Sequence, residues 1–344
     1  MKYHEEHRIK VIEEYKQAIE EMPSFVKRFF TFYEVTKNAS ANTIRAYYYD
    51  LEAFFYYLTQ ECPVINTYND ITLEFLDSLV MQDIQEYLSF LTHYEKNGKI
   101  YTNNEVGRAR KLASLRSFYR YYHTVEKSIK NNPALAMPSP QQATKDVTAL
   151  TQSEIKELLA EVYDKTGFSE HQKAYMTKTH YRDMALITLL LGTGIRVSEC
   201  VGIDLDDVNY SELAISIHRK GNKDTTVYFG ESVADALTDY VTLERKAKDI
   251  DEPALFISSR GTRITVRSVE RIVKKFSEKA VKSKKISPHK LRSSFATLLY
   301  KENNSDLIQV KDALGHKGLS VVQRYVNNSE ASKKQAGKTA NKWL

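Results

Sequence analysis

The sequence predicts a mainly α protein of two domains, an all-helical N-terminal domain and an α-rich C-terminal domain that carries one small β-hairpin. Three observations support this. From Glu5 to about Lys130 apolar and aromatic residues recur at spacings of three and four, the period of amphipathic helices. A run from Asn131 to Asp146 then breaks the pattern with Pro133, Pro138 and Pro140, which cannot sit inside a helix. Alternation of period two appears only between Leu213 and Phe229. At 344 residues and roughly 150 residues per domain, two cores are expected. The boundaries read as residues 1–132, a linker over 133–150, and a second domain over 151–344.

In chain order, Ser40 is an N-cap candidate for a helix with Ile44, Tyr47, Tyr48, Leu51, Phe54 and Phe55 on one broad stripe, leaving Arg45 and Asp50 off it. A second helix starts near Glu105 and turns Leu112, Leu115, Phe118, Tyr119 and Tyr122 inward, while Arg108, Lys111 and Arg120 point elsewhere. After the linker, Thr151 with Glu154 forms a capping-box signal ahead of Ile155, Leu158 and Leu159. The hairpin follows, with Lys220-Gly221-Asn222-Lys223 as its turn. Ser287-Pro288 marks another helix start, with Leu291, Phe295, Leu298 and Leu299 as its buried face, and Gly315 a helix end.

Composition narrows the function. There are 50 Lys+Arg against 44 Asp+Glu, a formal charge of +6, which permits anionic partners. Two cysteines, Cys62 and Cys200, stand far apart in no CxxC pattern, which argues for a reducing compartment and against a structural zinc site. The N-terminal residues are charged, and the greasiest run, Met184 to Leu191, is far below the ~20 residues a bilayer span needs. A cytoplasmic protein without a membrane partner is expected.

Five segments of the second half hold the chemistry-bearing side chains. They are Gly194-Ile195-Arg196 through Glu199, the turn at Lys220, His289 with Arg292 beside a helix start, His316 after Gly315, and Tyr325. Singly, each has an ordinary explanation as an ion pair, a cap or a solvated side chain. Together, two arginines, two histidines and a lysine make a phosphate clamp, because guanidinium forks match phosphate oxygens and imidazole can donate or shuttle a proton. A tyrosine among them becomes a phosphoryl acceptor. Its phenol, of pKa ~10, needs a neighbouring base or cation field to attack at neutral pH. The scheme demands no metal and no cofactor.

The ordered set Thr193-Gly-Ile-Arg196-Val-Ser-Glu199, Lys220-Gly-Asn-Lys, His289-Lys-Leu-Arg292, Leu-Gly-His316 and Tyr325 resembles the tyrosine recombinase (phage integrase) family. The resemblance implies Tyr325 as nucleophile, Arg196 and Arg292 as phosphate ligands, Lys220 as general acid, His289 and His316 as supporting donors, and Glu199 as accessory acid. Ser40 to Tyr47 resembles the family's core-binding domain and Arg108 to Tyr122 its closing helix. Ser293-Ser294 departs from the His-Thr of many members, with no loss of activity expected. The finer resemblance is to the XerS-type, single-recombinase Xer subgroup. It implies resolution of chromosome dimers at a dif-like site on double-stranded DNA, by a homotetramer on paired sites with a dimer per site. A cell-division DNA translocase would be a further partner. An integrase or excisionase of a mobile element, a type IB topoisomerase and a non-catalytic helical DNA-binding protein are the alternatives.

From Arg260 to Arg292 twelve basic residues face only Glu270 and Glu278. Arg260, Arg263, Arg267, Arg271 and Lys274 step by three or four, one stripe suited to consecutive phosphates. With Arg45, Arg108 and Lys111 of the first domain they form the expected DNA contacts of two domains that clamp a duplex.

Overall fold

The computed structural model describes residues 3–140, 148–164, 166, 168–219, 223–246, 250–302, 306–315 and 318. The chain divides into two compact units at Thr144 and Lys145, within the stretch read as a linker. Among the described residues no helix is long and apolar enough to cross a membrane.

The first unit contains α1 (Tyr3–Ile19), α2 (Ser24–Val35), α3 (Ala41–Glu61), α4 (Leu73–Ser78), α5 (Met81–Phe90), β1 (His93–Lys96), β2 (Lys99–Thr102), α6 (Glu105–Arg120) and α7 (Pro133–Ala136). Ser40 caps α3 as expected, its Oγ accepting from the Thr43 N–H at 3.3 Å. Asn104 caps α6 by accepting from the Gly107 N–H at 3.0 Å. Leu112, Leu115, Phe118 and Tyr119 of α6 are buried, and a π-turn over Tyr121–Val125 carries Tyr122 into the same core. There Phe118 meets Phe29 edge-on at 5.3 Å and Tyr122 at 5.0 Å between ring centroids. Buried tyrosines are tolerated because each hydroxyl finds a partner: Tyr119 donates to the Leu76 carbonyl at 3.1 Å and Tyr122 to that of Phe25.

The first unit is not all-helical. β1 and β2 pair antiparallel around Asn97 and Gly98, both at positive φ (52° and 71°), the backbone that a tight hairpin turn of matching twist requires. Pro133 also does not end helical structure. It opens α7, with the Asn132 side chain accepting from the Leu135 N–H at 3.1 Å. Ala134 is buried in the first unit's core, and Arg116 Nε donates to its carbonyl at 3.0 Å.

Asp50, expected off the buried stripe of α3, is only 2% exposed. Its carboxylate accepts from Arg110 Nη1 at 2.5 Å, Ser114 Oγ at 2.7 Å and Lys111 Nζ at 3.3 Å. A buried carboxylate needs such partners to offset its lost hydration. Lys111 is thus itself buried and spent on Asp50. This corrects its reading as a DNA contact, since a lysine committed inside the α3–α6 interface is not presented to phosphate. Asp50→Ala would strand the Lys111 ammonium, and chemical denaturation should show the first unit losing about 3–5 kcal/mol. A loss under 1 kcal/mol would show that the network contributes little.

The second unit contains α8 (Gln152–Tyr163), α9 (Glu170–Thr177), α10 (His180–Thr193), α11 (Val197–Val201), β3 (Val208–Asn209), β4 (Ala214–Arg219), β5 (Lys223–Tyr228), α12 (Glu231–Asp239), α13 (Val266–Ala280), α14 (Pro288–Glu302) and α15 (Leu307–Leu314). The Thr151–Glu154 capping box forms, with reciprocal bonds of 2.7 and 3.2 Å. The sheet runs β3-β4-β5, all antiparallel, and the β4–β5 ladder extends from Ala214↔Tyr228 to Arg219↔Lys223. α10 is buried nearly all round and stops at Gly194, whose φ of +62° is the left-handed cap that favours glycine. A Cβ there would also strike the Phe295 ring.

Candidate active site

Arg196 is the N-cap residue of α11. Its backbone N–H donates to Glu199 Oε2 and its Nη1 to Oε1, both at 2.7 Å. The Glu199 side chain is 5% exposed and that of Arg196 44%. A buried carboxylate therefore grips the guanidinium from behind while its other edge faces outward, the geometry of an oriented anion ligand.

Arg292 belongs to the buried side of α14, which the sequence pattern assigns to Leu291, Phe295, Leu298 and Leu299. It is buried at 3% exposure. Its Nη1 donates to the Gly194 carbonyl and its Nη2 to the Leu314 carbonyl at 2.8 Å. These carbonyls stand at the C-terminal ends of α10 and α15, where the helix dipoles place partial negative charge that favours a cation. One arginine thus binds two helix ends. The face of α14 that is buried comprises Pro288, Leu291, Arg292, Ser293, Ser294, Ala296 and Tyr300. Ser293 and Ser294 fit because each hydroxyl donates back to the carbonyl four residues earlier, at 3.1 and 2.8 Å. Ser294 also accepts from the Leu150 N–H at 2.8 Å.

His289 lies one turn before Arg292 on α14 and is exposed. Partial desolvation, then the positive charges of Lys290, Arg292 and Arg196, hold its imidazole below the ordinary histidine pKa. This favours the neutral imidazole, which can accept or donate a proton. That Arg196 and Arg292 both act on it shows the three groups share one field.

Arg219, the last residue of β4, escaped the sequence reading. Its Nε lies 3.8 Å from Glu199 Oε1, and a Cβ on Gly315 would collide with its guanidinium. The contacts close a ring: Arg196 to Glu199, Glu199 to Arg219, Arg219 to Gly315, and Leu314 through Arg292 back to Gly194. The adjacency of Arg219 to the singled-out Lys220 was the available signal. Lys220, His316 and Tyr325 themselves lie outside the described residues.

Among the proposed DNA contacts, Arg267, Arg271 and Lys274 are exposed along α13, opposite its buried Val269, Val273 and Phe276. Arg263 is not part of that stripe. α13 starts only at Val266, and the Arg263 side chain, 11% exposed, donates to the carbonyls of Val201 and Ile203 at 3.0 and 3.2 Å and to Asp204 at 2.5 Å. It joins segments of the second unit and is withdrawn as a phosphate contact. A cavity of about 570 Å³ beside the start of α13 is lined by Arg260, Arg271 and Lys275 and by the buried Arg182–Asp183 pair. In the first unit Arg45 pairs with Glu14 at 3.1 Å, and Arg108 lies 3.6 Å from Glu105.

Comparison with known proteins gives the family. The Phage integrase family profile matches residues 148–332, and the profile for the phage integrase N-terminal SAM-like domain matches residues 26–124. The chain is 35% identical over 323 residues to the tyrosine recombinase XerC of Caldanaerobacter subterraneus subsp. tengcongensis, covering 91% of this chain and 86% of that protein. It is 31% identical over 313 residues to the tyrosine recombinase XerD of Staphylococcus epidermidis strain RP62A, covering 90% and 96%. The fold is shared with a XerH site-specific recombinase solved with a palindromic difH substrate in a post-cleavage complex, at 22% identity and a TM-score of 0.67 over 88% of this chain and 80% of that one. Two family profiles in tandem, relatives matched along nearly their whole length, and a mainly helical fold with small antiparallel sheets lead to one assignment: the chain belongs to the phage integrase family and is a site-specific tyrosine recombinase.

Proposed function

We propose that the chain cuts and rejoins double-stranded DNA through Tyr325, resolving chromosome dimers at a dif-like site. The observation that carries the chemistry is the pair of arginines, Arg196 gripped by Glu199 and Arg292 on two helix ends, sharing one field with His289. Such fixed donors meet the charge that develops on a pentavalent phosphoryl transition state without reorganising. The Tyr325 oxygen attacks the scissile phosphorus as its phenol proton passes to the His289 imidazole, the bond to the 5′ oxygen breaks, and a proton from Lys220 neutralises the leaving alkoxide. The product is a 3′-phosphotyrosyl bond and a free 5′ hydroxyl. Attack by the 5′ hydroxyl of a second strand reverses the step and joins the strands. Arg196, Arg292, His289 and His316 hold the phosphate oxygens. Likeness to XerC and XerD relatives supports this reading over integration of a mobile element, and the proposal includes a cytoplasmic location and a dimer on each of two paired sites.

A plasmid carrying two directly repeated candidate sites should resolve into two circles with no metal or nucleotide added. Relaxation of plasmids that lack the sites would favour a topoisomerase instead. Arg267 and Arg271 are proposed phosphate contacts, so replacing both with Glu should weaken site binding and lower the slope of log affinity against log salt by about 2. An unchanged slope would dismiss the stripe.

A further inference from the structure

We infer that Arg219 is a positioning residue of the reaction, acting through the carboxylate that it shares with Arg196. The inference rests on the recombinase reading above. Four observations carry it. First, Arg219 ends β4 at the last rung of the ladder, opposite Lys223, so its backbone is fixed. A cross-strand bond of 2.8 Å between His218 Nδ1 and Asp224 Oδ1 stands on the preceding rung. Second, its side chain is 12% exposed and lies 3.8 Å from a Glu199 that is itself buried. Third, its Nε is buried with no hydrogen-bond partner among the described residues, a costly state for a cation unless nearby charge offsets it. The nearby charge is Glu199, and the opposing one is Arg196. Fourth, the guanidinium occupies the space where a Cβ on Gly315 would lie, at a backbone whose φ of +62° itself favours glycine.

Two guanidiniums on one carboxylate leave a surplus positive charge, and Arg196, at 44% exposure, is the one that presents it outward. Arg219, the less exposed of the two, lies beside Glu199 and against Gly315 at the C-terminal end of α15. The carboxylate oxygen that Arg196 uses is the one nearest Arg219. Removing Arg219 would therefore free Glu199 to turn and Arg196 to lose its aim, and angstrom-scale misplacement of a catalytic group costs about 10²-fold.

The test is single-turnover formation of the covalent protein–DNA adduct on a nicked duplex, with site affinity and thermal melting measured on the same full-length proteins. Arg219→Ala and the apolar, similarly long Arg219→Met should both slow adduct formation about 10- to 100-fold, with affinity within twofold of wild type and an intact melt. Arg219→Lys, which keeps the charge, should recover most of the rate. Arg219→Ala combined with Glu199→Gln should be no slower than the slower single variant, because both act through one carboxylate. Three results would overturn the inference: a wild-type rate for Arg219→Met, which would make the side chain mere packing, multiplicative defects in the double variant, or loss of affinity and fold together with rate. Absence of an adduct from the wild type would overturn the recombinase reading, and this inference with it, whereas equal adducts from all variants would overturn this inference alone.

Discussion

Tyr325→Phe is expected to abolish strand cleavage and plasmid resolution, with activity falling at least about 10³-fold to the detection limit and site affinity unchanged. The phenol oxygen is the only atom lost. Without it no phosphotyrosyl bond can form, and the cation field around Arg196 and Arg292 stabilises a transition state that is never reached. Affinity is expected to survive because the duplex is held by many phosphate contacts, each contributing a small share. The measurement pairs a resolution assay with a binding isotherm on the same preparation. Residual resolution by the phenylalanine variant would place the nucleophile elsewhere among the 23 tyrosines.

Arg292→Ala is expected to produce the other large effect, and a composite one. The buried guanidinium answers the carbonyls of Gly194 and Leu314, so truncation leaves two buried acceptors unpaired at about 1–3 kcal/mol each. The same change removes a donor from the reacting phosphate, typically 10²- to 10³-fold in rate. The second unit should therefore melt lower, and cleavage by the fraction still folded should remain at least 10²-fold slow at a temperature where circular dichroism shows native helix. Arg292→Lys keeps the charge but cannot span both carbonyls, so it should recover part of the stability and little of the rate. A variant that melts early yet cleaves at the wild-type rate when folded would make Arg292 purely structural.

Most of the helix boundaries are legible from local signals. Ser40, the Thr151–Glu154 box, Ser287-Pro288 and Gly315 each mark an end by chemistry confined to a few residues, and the structure places helix ends there. The Asn97-Gly98 turn is equally local but does not read as a hairpin, because its strands, His-Tyr-Glu-Lys and Lys-Ile-Tyr-Thr, are short, mostly exposed and lack an apolar alternation. Charges misled for a different reason. Sequence pattern assigns a charged residue to the surface, but Asp50, Lys111 and Arg292 are buried and Arg263 is largely covered, each held by a partner about 60 to 100 residues away. No local pattern encodes such pairing. The candidate site was legible as an ordered set of residue types, and Arg196 with Glu199 even as a geometry, since their three-residue spacing brings them together on one helix start. Arg219 was not legible, because its role depends on Glu199 and Gly315 arriving from elsewhere in the fold.

The central claim is tested most directly by trapping wild-type protein on a nicked duplex bearing the recombination site, in EDTA, and mapping the adduct after proteolysis. The account predicts a denaturant-stable protein–DNA species whose nucleotide is attached through its 3′ phosphate to the peptide that begins at Tyr325. No adduct on a site that the protein demonstrably binds, or an adduct carried by any other residue, would contradict it.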